Sequence, residues 1–167
     1  MPAISISEKI EKFLNENYQN LTKEQRGKIS NYVKTHRLNI LVAGATGSGK
    51  SSTINALFDI NKALIGLGAE PMTQDIKRYE FDNLILWDTP GLGDGIAEDE
   101  RHKKKIVNQL QQKNIDGEFE IDLVLVILDG SSRDMGTSFE LINQTIIPNL
   151  GESPEKRLLI AINQADK

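Results

Sequence analysis

Gly44-Ala45-Thr46-Gly47-Ser48-Gly49-Lys50-Ser51 decides the fold. The stretch fills every fixed position of the pattern G-x-x-x-x-G-K-[ST], and its flanks are those the pattern requires. Leu38 to Ala43 before it is a short apolar run that reads as a strand, and Lys50 to Phe58 after it reads as a helix. The glycines let the backbone curl so that successive N–H groups point inward at phosphate oxygens. The helix that follows presents the positive end of its dipole to the same anion. Lys50 places a point charge on the β- and γ-phosphates. Ser51 offers a hydroxyl to Mg²⁺, a hard ion that takes oxygen ligands. A purely structural glycine turn has no need of a lysine and a hydroxyl at those two places. The stretch reads as a cradle for a nucleoside triphosphate, and it leaves the base unspecified.

Downstream of this cradle, strands alternate with helices. Lys77 to Phe81 and Leu84 to Trp87 read as two strands joined by a hairpin turn at Asp82-Asn83. Residues 97–113 read as a polar helix with Ile106, Val107 and Leu110 on its inner side. Ile121 to Leu128 is almost wholly aliphatic, as a strand covered on both faces of a parallel sheet would be. Thr137 with Glu140 reads as the cap of a helix carrying Phe139, Leu141, Ile142 and Ile146, with Pro148 just beyond it. Arg157 to Ile162 reads as the last strand. Residues 60–75 lack periodicity and read as a loop, and Gly91 to Gly95 as a flexible segment. The alternation predicts a three-layer α/β domain over residues 37–167, its sheet mostly parallel with one antiparallel strand.

Upstream, residues 5–36 read as two helices forming an N-terminal extension over residues 1–36. Ile6, Ile10, Phe13, Leu14 and Leu21 recur at spacings of three and four, and Ile29, Tyr32 and Val33 give a second, shorter stripe. Ser5 with Glu8 and Thr22 with Gln25 fit capping boxes. The extension is expected to pack on the domain, with docking of a partner or a second copy as the alternative.

Composition narrows the class. At 167 residues the chain is one domain with room for a core. A formal net charge of -4 leaves no electrostatic footprint for nucleic acid or anionic lipid. The absence of cysteine excludes a disulfide framework and a thiolate zinc site. Leu123 to Leu128, the longest apolar run, is too short to span a bilayer. Met1 to Ile10 lacks the basic start and long apolar run of a signal peptide. A soluble cytoplasmic protein is expected, with peripheral membrane association left open.

Three further stretches carry chemistry. Asp88-Thr89-Pro90-Gly91 leaves the strand Leu84 to Trp87, where a carboxylate can hold Mg²⁺, usually through a water. Gly91 can offer its N–H to a γ-phosphate because no side chain blocks the approach. Asn163-Gln164-Ala165-Asp166 follows the last strand, and ligands bind at the carboxyl ends of strands in open α/β sheets. The Asp166 carboxylate can accept hydrogen bonds from N1–H and the exocyclic amino group of guanine. Adenine has no donors there, so the carboxylate would be desolvated and unpaired. Thr73, within Pro71-Met72-Thr73-Gln74, can complete the Mg²⁺ shell while triphosphate is bound and release it after hydrolysis.

Together these stretches resemble the TRAFAC-class GTPases, in the Era-like and septin or immunity-related neighbourhood that includes the bacterial YfjP-like GTPases. The matching segments are G-A-T-G-S-G-K-S-S-T-I-N-A-L-F, P-M-T-Q, D-T-P-G-L-G-D-G and N-Q-A-D, in the family order from residue 38 onward. The resemblance implies a Ras-like G domain that binds GTP and GDP with Mg²⁺. Its nucleotide set is Gly44, Ala45, Thr46, Gly47, Ser48, Gly49, Lys50, Ser51, Ser52, Asp88, Asn163, Gln164 and Asp166. Its metal set is Ser51, Thr73 and Asp88, and Lys50, Thr73 and Gly91 are its catalytic set. A homodimer through the nucleotide face and an unidentified effector are the implied protein partners.

The chain departs from the family pattern at three places. Gln164 replaces the lysine of N-K-x-D; it can cover the base but brings no charge, and weaker nucleotide affinity is expected. Leu92 stands where many small GTPases place a glutamine that orients the attacking water, so slow intrinsic hydrolysis is expected and the water-orienting group is left unnamed. The potassium-dependent relatives place an asparagine where this chain has Gly47. After Lys167 there is no counterpart of the family's last helices and strand, so the chain is expected to be the front part of a longer protein. A nucleotide-gated assembly protein, septin-like or dynamin-like, is the alternative function. The basic run Arg101-His102-Lys103-Lys104-Lys105 reads as a solvated helix face, and Arg133 as a surface ion pair or an arginine finger acting in trans.

Overall fold

A computed structural model describes residues 8, 12, 15, 16, 20–58, 75–81 and 83–166. Most of the first predicted helix, its Ser5 cap, the loop at 60–74 and Thr73 lie outside the described residues.

Five strands form one sheet in the order β2-β3-β1-β4-β5. They are β1 (Leu38–Ala43), β2 (Lys77–Glu80), β3 (Leu84–Asp88), β4 (Leu123–Asp129) and β5 (Leu158–Asn163). β1 runs parallel to β3 and β4, and β4 parallel to β5, while β2 turns back antiparallel on β3. The expected mostly parallel sheet with one antiparallel strand is therefore present.

The alternation along β1 explains the layers. Leu41 and Ala43 enter one apolar cluster with Leu92, Ile106, Leu110, Ile121, Val124, Val126, Leu141 and Ile146. Val42 faces the other way, into a cluster with Ile54, Leu84, Leu86 and Ile127. Side chains of a strand point alternately to opposite faces, so a strand apolar on both sides must be covered on both. Helix α2 (Lys50–Phe58) supplies Ile54 to one side, and α3 (Ile96–Gln111) supplies Ile106 and Leu110 to the other. Burying one such aliphatic side chain contributes about 1.5–3 kcal/mol, so these two clusters dominate the stability of the sheet.

Helix α1 (Lys23–Thr35) begins at the Thr22 cap, and Thr22 and Gln25 exchange both hydrogen bonds of the capping box. Two residues of its apolar stripe are exposed. Ile29 is 37% and Tyr32 58% exposed. Tyr32 stacks on His36 with ring centroids 4.1 Å apart.

The helix after β4 corrects an expectation. Helix α4 (Gly136–Glu140) starts before Thr137, and no side-chain hydrogen bond caps it at Met135. Asp134 takes the part assigned to Thr137: its Oδ1 accepts from the Gly136 N–H at 2.8 Å, the local turn that a short carboxylate favours. From Leu141 to Ile146 the helix widens to a π-helical turn and then tightens to a 3₁₀ turn at Ile147–Asn149. Pro148 has no N–H to continue the regular ladder. Leu141 and Ile146 are buried, whereas Phe139 is 65% exposed.

Candidate functional site

The carboxyl ends of β1, β3 and β5 converge on one edge of the sheet. Val42 lies level with Asp88 in the β1–β3 register, and Asp129 with Asn163 in the β4–β5 register. The phosphate loop leaves β1 at this edge, so the three stretches singled out in the sequence meet there.

Within the loop, Lys50 is buried and its Nζ donates to the carbonyl oxygens of Gly44 at 3.1 Å and Ala45 at 2.9 Å. The side chain is thereby curled back over the loop that a triphosphate would occupy. Burial lowers the pKa of the ammonium, while the carboxylates of Asp88 and then Asp94 act in the opposite sense. Ser51 Oγ donates to Asp88 Oδ2 at 2.9 Å. Burial raises the pKa of Asp88, against the Ser51 hydrogen bond and the charge of Lys50.

The second oxygen of Asp88, Oδ1, is buried and has no hydrogen-bond partner among the described residues. A buried carboxylate oxygen without a partner is costly, and a hard cation or its bound water would satisfy it. Ser51 and Asp88 together fit Mg²⁺, which takes one or two protein oxygens and completes its shell with phosphates and water. No group of three His, Asp or Glu side chains that could hold a metal occurs among the described residues, and a magnesium site of this kind does not need one.

The Asp88-Thr89-Pro90-Gly91 segment is fixed to β1. The Thr89 N–H and Oγ1 both donate to the Val42 carbonyl, at 3.1 and 2.9 Å. Beyond it, the Thr46 N–H donates to the Leu92 carbonyl at 2.7 Å, which places the segment directly against the phosphate loop. Leu92 itself is 1% exposed and belongs to the core. Its side chain does not face the loop at all.

Two residues at this segment were not singled out by the sequence. His102 was counted in a solvated basic face, yet it is 5% exposed and its Nδ1 meets the Gly91 carbonyl oxygen at 2.9 Å. His102, Ile106 and Leu110 stand four residues apart, a spacing that puts all three on one helix face. That was the signal available. The other is Asp94, whose Oδ2 accepts from Thr46 Oγ1 at 2.8 Å; a contact spanning 48 residues leaves no local trace.

At the end of β5, Asn163 Nδ2 donates to the Ser48 carbonyl at 3.0 Å and Gln164 Nε2 to the Gly47 carbonyl at 3.1 Å. Gln164 thus reaches the phosphate loop even without the charge of a lysine. It does so from a left-handed backbone conformation, φ 56°. Asp166 is exposed at the rim of the same edge.

Comparison with known proteins agrees with this geometry. A family model described as 50S ribosome-binding GTPase matches residues 39–164. A second, described as type II/IV secretion system protein, matches residues 4–63, a stretch that holds the phosphate loop but neither Asp88 nor Asn163 to Asp166. The tRNA modification GTPase MnmE of Dichelobacter nodosus is 30% identical over 96% of this chain and 34% of its own length. The interferon-gamma-inducible GTPase 10 of Mus musculus is 37% identical over 58% of this chain and 22% of its own. The uncharacterized protein YfjP of Escherichia coli is 27% identical over 75% of this chain and 41% of its own. Among solved structures, a probable GTP-binding protein engB aligns with a TM-score of 0.51 at 23% identity, covering 77% of this chain and 70% of that one. The chain spans between 9% and 41% of the length of the curated relatives it matches.

Proposed function

The chain belongs to the GTPase family that matches residues 39–164, within the TRAFAC class of P-loop GTPases, and on that premise we propose that it is a slow, nucleotide-dependent switch. In this reading it binds GTP and GDP with Mg²⁺, hydrolyses GTP to GDP, and changes the segments around Thr73 and Gly91 with the state of the nucleotide. The observation that carries the reading is the hydrogen bond from Asn163 to Ser48, which joins the base-reading end to the phosphate cradle.

Each residue then has a task. The phosphate-loop N–H groups and Lys50 bind the β- and γ-phosphates and take up the charge that develops on the leaving GDP. Mg²⁺, held by Ser51 and through water by Asp88, supplies a divalent charge against the phosphate oxygens. The Gly91 N–H senses the γ-phosphate. Asp166 pairs with the guanine edge, while Gln164 lies along the base. Leu92, turned into the core, supplies no water-orienting side chain of its own, which supports a low intrinsic rate.

The test is binding of fluorescent GDP and ADP in the presence of Mg²⁺ to the wild-type chain and to Asp166→Asn. At least tenfold tighter binding of GDP, lost in the variant, is expected. Equal binding of ADP and GDP would overturn the guanine assignment and leave only a phosphate loop.

A second reading, nucleotide-gated self-association, has its own support. Ile96 at the start of α3 is 88% exposed and Phe139 in α4 is 65% exposed, each beyond the carboxyl end of the strand that precedes its helix. Solution mass with GDP and with a non-hydrolysable GTP analogue separates the two. A dimer seen only with the analogue favours assembly, and a monomer with both favours the simple switch.

A further inference from the structure

The loop after Gly91 is shaped around one side chain. Gly93 and Gly95 flank Asp94 with φ of 111° and 125°, conformations that residues with a Cβ rarely take. The backbone N–H groups of Gly93 and Asp94 both donate to Asp99 Oδ1, at 2.9 and 3.3 Å, which anchors the loop to the first turn of α3. On the other side, Thr46 Oγ1 of the phosphate loop holds Asp94 Oδ2 at 2.8 Å. Asp94 is therefore fixed from behind by Asp99 and from the front by Thr46, while the residue itself remains exposed. Its Oδ1 has no hydrogen-bond partner among the described residues.

Its place within the site matters as much as its fixation. Leu92 and Gly91 press against Thr46, so Asp94 sits where the γ-phosphate-sensing segment meets the phosphate loop. Its carboxylate acts electrostatically on the Lys50 ammonium, behind burial and Asp88 in strength. It is not a plug in the cradle, because Lys50 donates to Gly44 and Ala45 and makes no hydrogen bond to Asp94. A carboxylate on the rim, with one oxygen tethered and the other open, is an acceptor for a water.

Resting on GTP hydrolysis as the activity of this site, we propose that Asp94, held by Thr46 and Asp99, orients the attacking water in place of the glutamine that Leu92 displaces. The water hydrogen-bonds to Asp94 Oδ1. Its oxygen forms the new bond to the γ-phosphorus as the bond from that phosphorus to the β–γ bridging oxygen breaks, and the electron pair leaves with GDP. The proton released by the water ends on the inorganic phosphate, so the carboxylate is unchanged over the cycle. Asp94 is the catalytic residue in this arrangement, and Thr46 and Asp99 are positioning residues.

The experiment measures single-turnover GTP hydrolysis and, separately, GTP and GDP affinity for wild type, Asp94→Ala, Asp94→Asn and Asp99→Ala. Thermal melts show that each variant is folded. Positioned acid–base groups contribute about 10²–10⁴-fold, so Asp94→Ala is expected to lose at least tenfold in hydrolysis with nucleotide affinities within about threefold. Asp94→Asn, which keeps an acceptor oxygen, is expected to fall between, and Asp99→Ala to lower the rate by loosening the loop. Hydrolysis within threefold of wild type in both Asp94 variants overturns the proposal. So does tighter GTP binding by Asp94→Ala at an unchanged rate, which would make Asp94 an occluding group. Wild type that binds GTP but hydrolyses it no faster than free solution also overturns it and leaves nucleotide binding intact. Wild type that binds neither nucleotide removes both readings.

Discussion

Asn163 reaches back across 115 residues to donate from Nδ2 to the Ser48 carbonyl oxygen at 3.0 Å. The bond ties the last strand to the phosphate loop, so the residues proposed to read the base and those proposed to hold the phosphates share one edge. Asn163→Ala removes the donor and leaves a partly buried carbonyl unpaired, a change of about 1 kcal/mol. For a domain of this size that corresponds to a drop of about 2–4 °C in Tm. Thermal unfolding without nucleotide should show that drop. With saturating GDP the difference from wild type should widen, because Asp166 loses its fixed position. A variant stabilised by GDP as much as wild type would mean that Asp166 is positioned independently of Asn163.

Gly91 has no room for a side chain. A Cβ there would lie 2.7 Å from Thr46 Cα and 2.8 Å from Thr46 N, and neither backbone atom can rotate away. Gly91→Ala is expected to lift the segment off the phosphate loop and break the Thr46–Leu92 hydrogen bond. In the proposed switch the segment meets only the γ-phosphate, so affinity for a non-hydrolysable GTP analogue should fall at least tenfold while GDP binding changes by less than about threefold. Equal losses for both nucleotides would show that the clash damages the phosphate loop itself.

Asp88 and Lys50 make the nucleotide-free site sensitive to pH. Burial raises the pKa of Asp88, so its contribution to stability is fully present below its unfolded value and is lost as the pH rises through the raised folded value. Lys50 is lowered, so its contribution is present above its unfolded value and is lost as the pH falls through the folded one. At pH 7, above the unfolded value of a carboxyl group, burying Asp88 therefore costs stability. Asp88→Asn is expected to unfold at higher denaturant than wild type at pH 7, with the difference shrinking as the pH falls through the folded pKa of Asp88. It should also lose the Mg²⁺ dependence of nucleotide binding. A variant less stable than wild type by the same amount at every pH would show that the Ser51–Asp88 hydrogen bond outweighs the desolvation.

Most of the fold was legible because its strands are short and distinctly patterned. The phosphate loop located β1 and α2 at once, and the aliphatic run ending at Leu128 announced a strand covered on both sides. The geometry of the site was legible where a residue is placed by its own local setting, as Lys50, Ser51 and Asp88 are. It was illegible where side chains meet across the fold. His102 hid in a charged run because four of its neighbours there are basic, although its spacing to Ile106 and Leu110 marked the buried face. Asp94 gave no local sign, because its partner lies in a different βα connection. The Thr137 cap failed for a local reason: Asp134, three residues earlier, forms its own turn and takes the Gly136 N–H first. Ile29 and Tyr32 lie on one helical stripe and are exposed; periodicity shows which face is apolar but not what meets it.

His102 offers the sharpest test of whether α3 follows the nucleotide. The Gly91 carbonyl can only accept, so Nδ1 must carry the proton of the 2.9 Å contact. Nε2 is buried with no hydrogen-bond partner among the described residues, and Glu98 Oε2 lies 3.8 Å away. The ring thus links Gly91, the proposed γ-phosphate sensor, to the helix that begins five residues later. His102→Ala leaves the Gly91 carbonyl without its donor and is expected to cost about 1–3 kcal/mol in stability. It should also narrow the affinity difference between GDP and a non-hydrolysable GTP analogue, because Gly91 is no longer oriented. Asn carries an N–H donor at a similar reach, so His102→Asn should recover most of the discrimination while repairing little of the packing. Discrimination equal to wild type in His102→Ala would reduce His102 to a packing residue. A loss that Asn does not restore would point to the shape of the ring rather than its hydrogen bond.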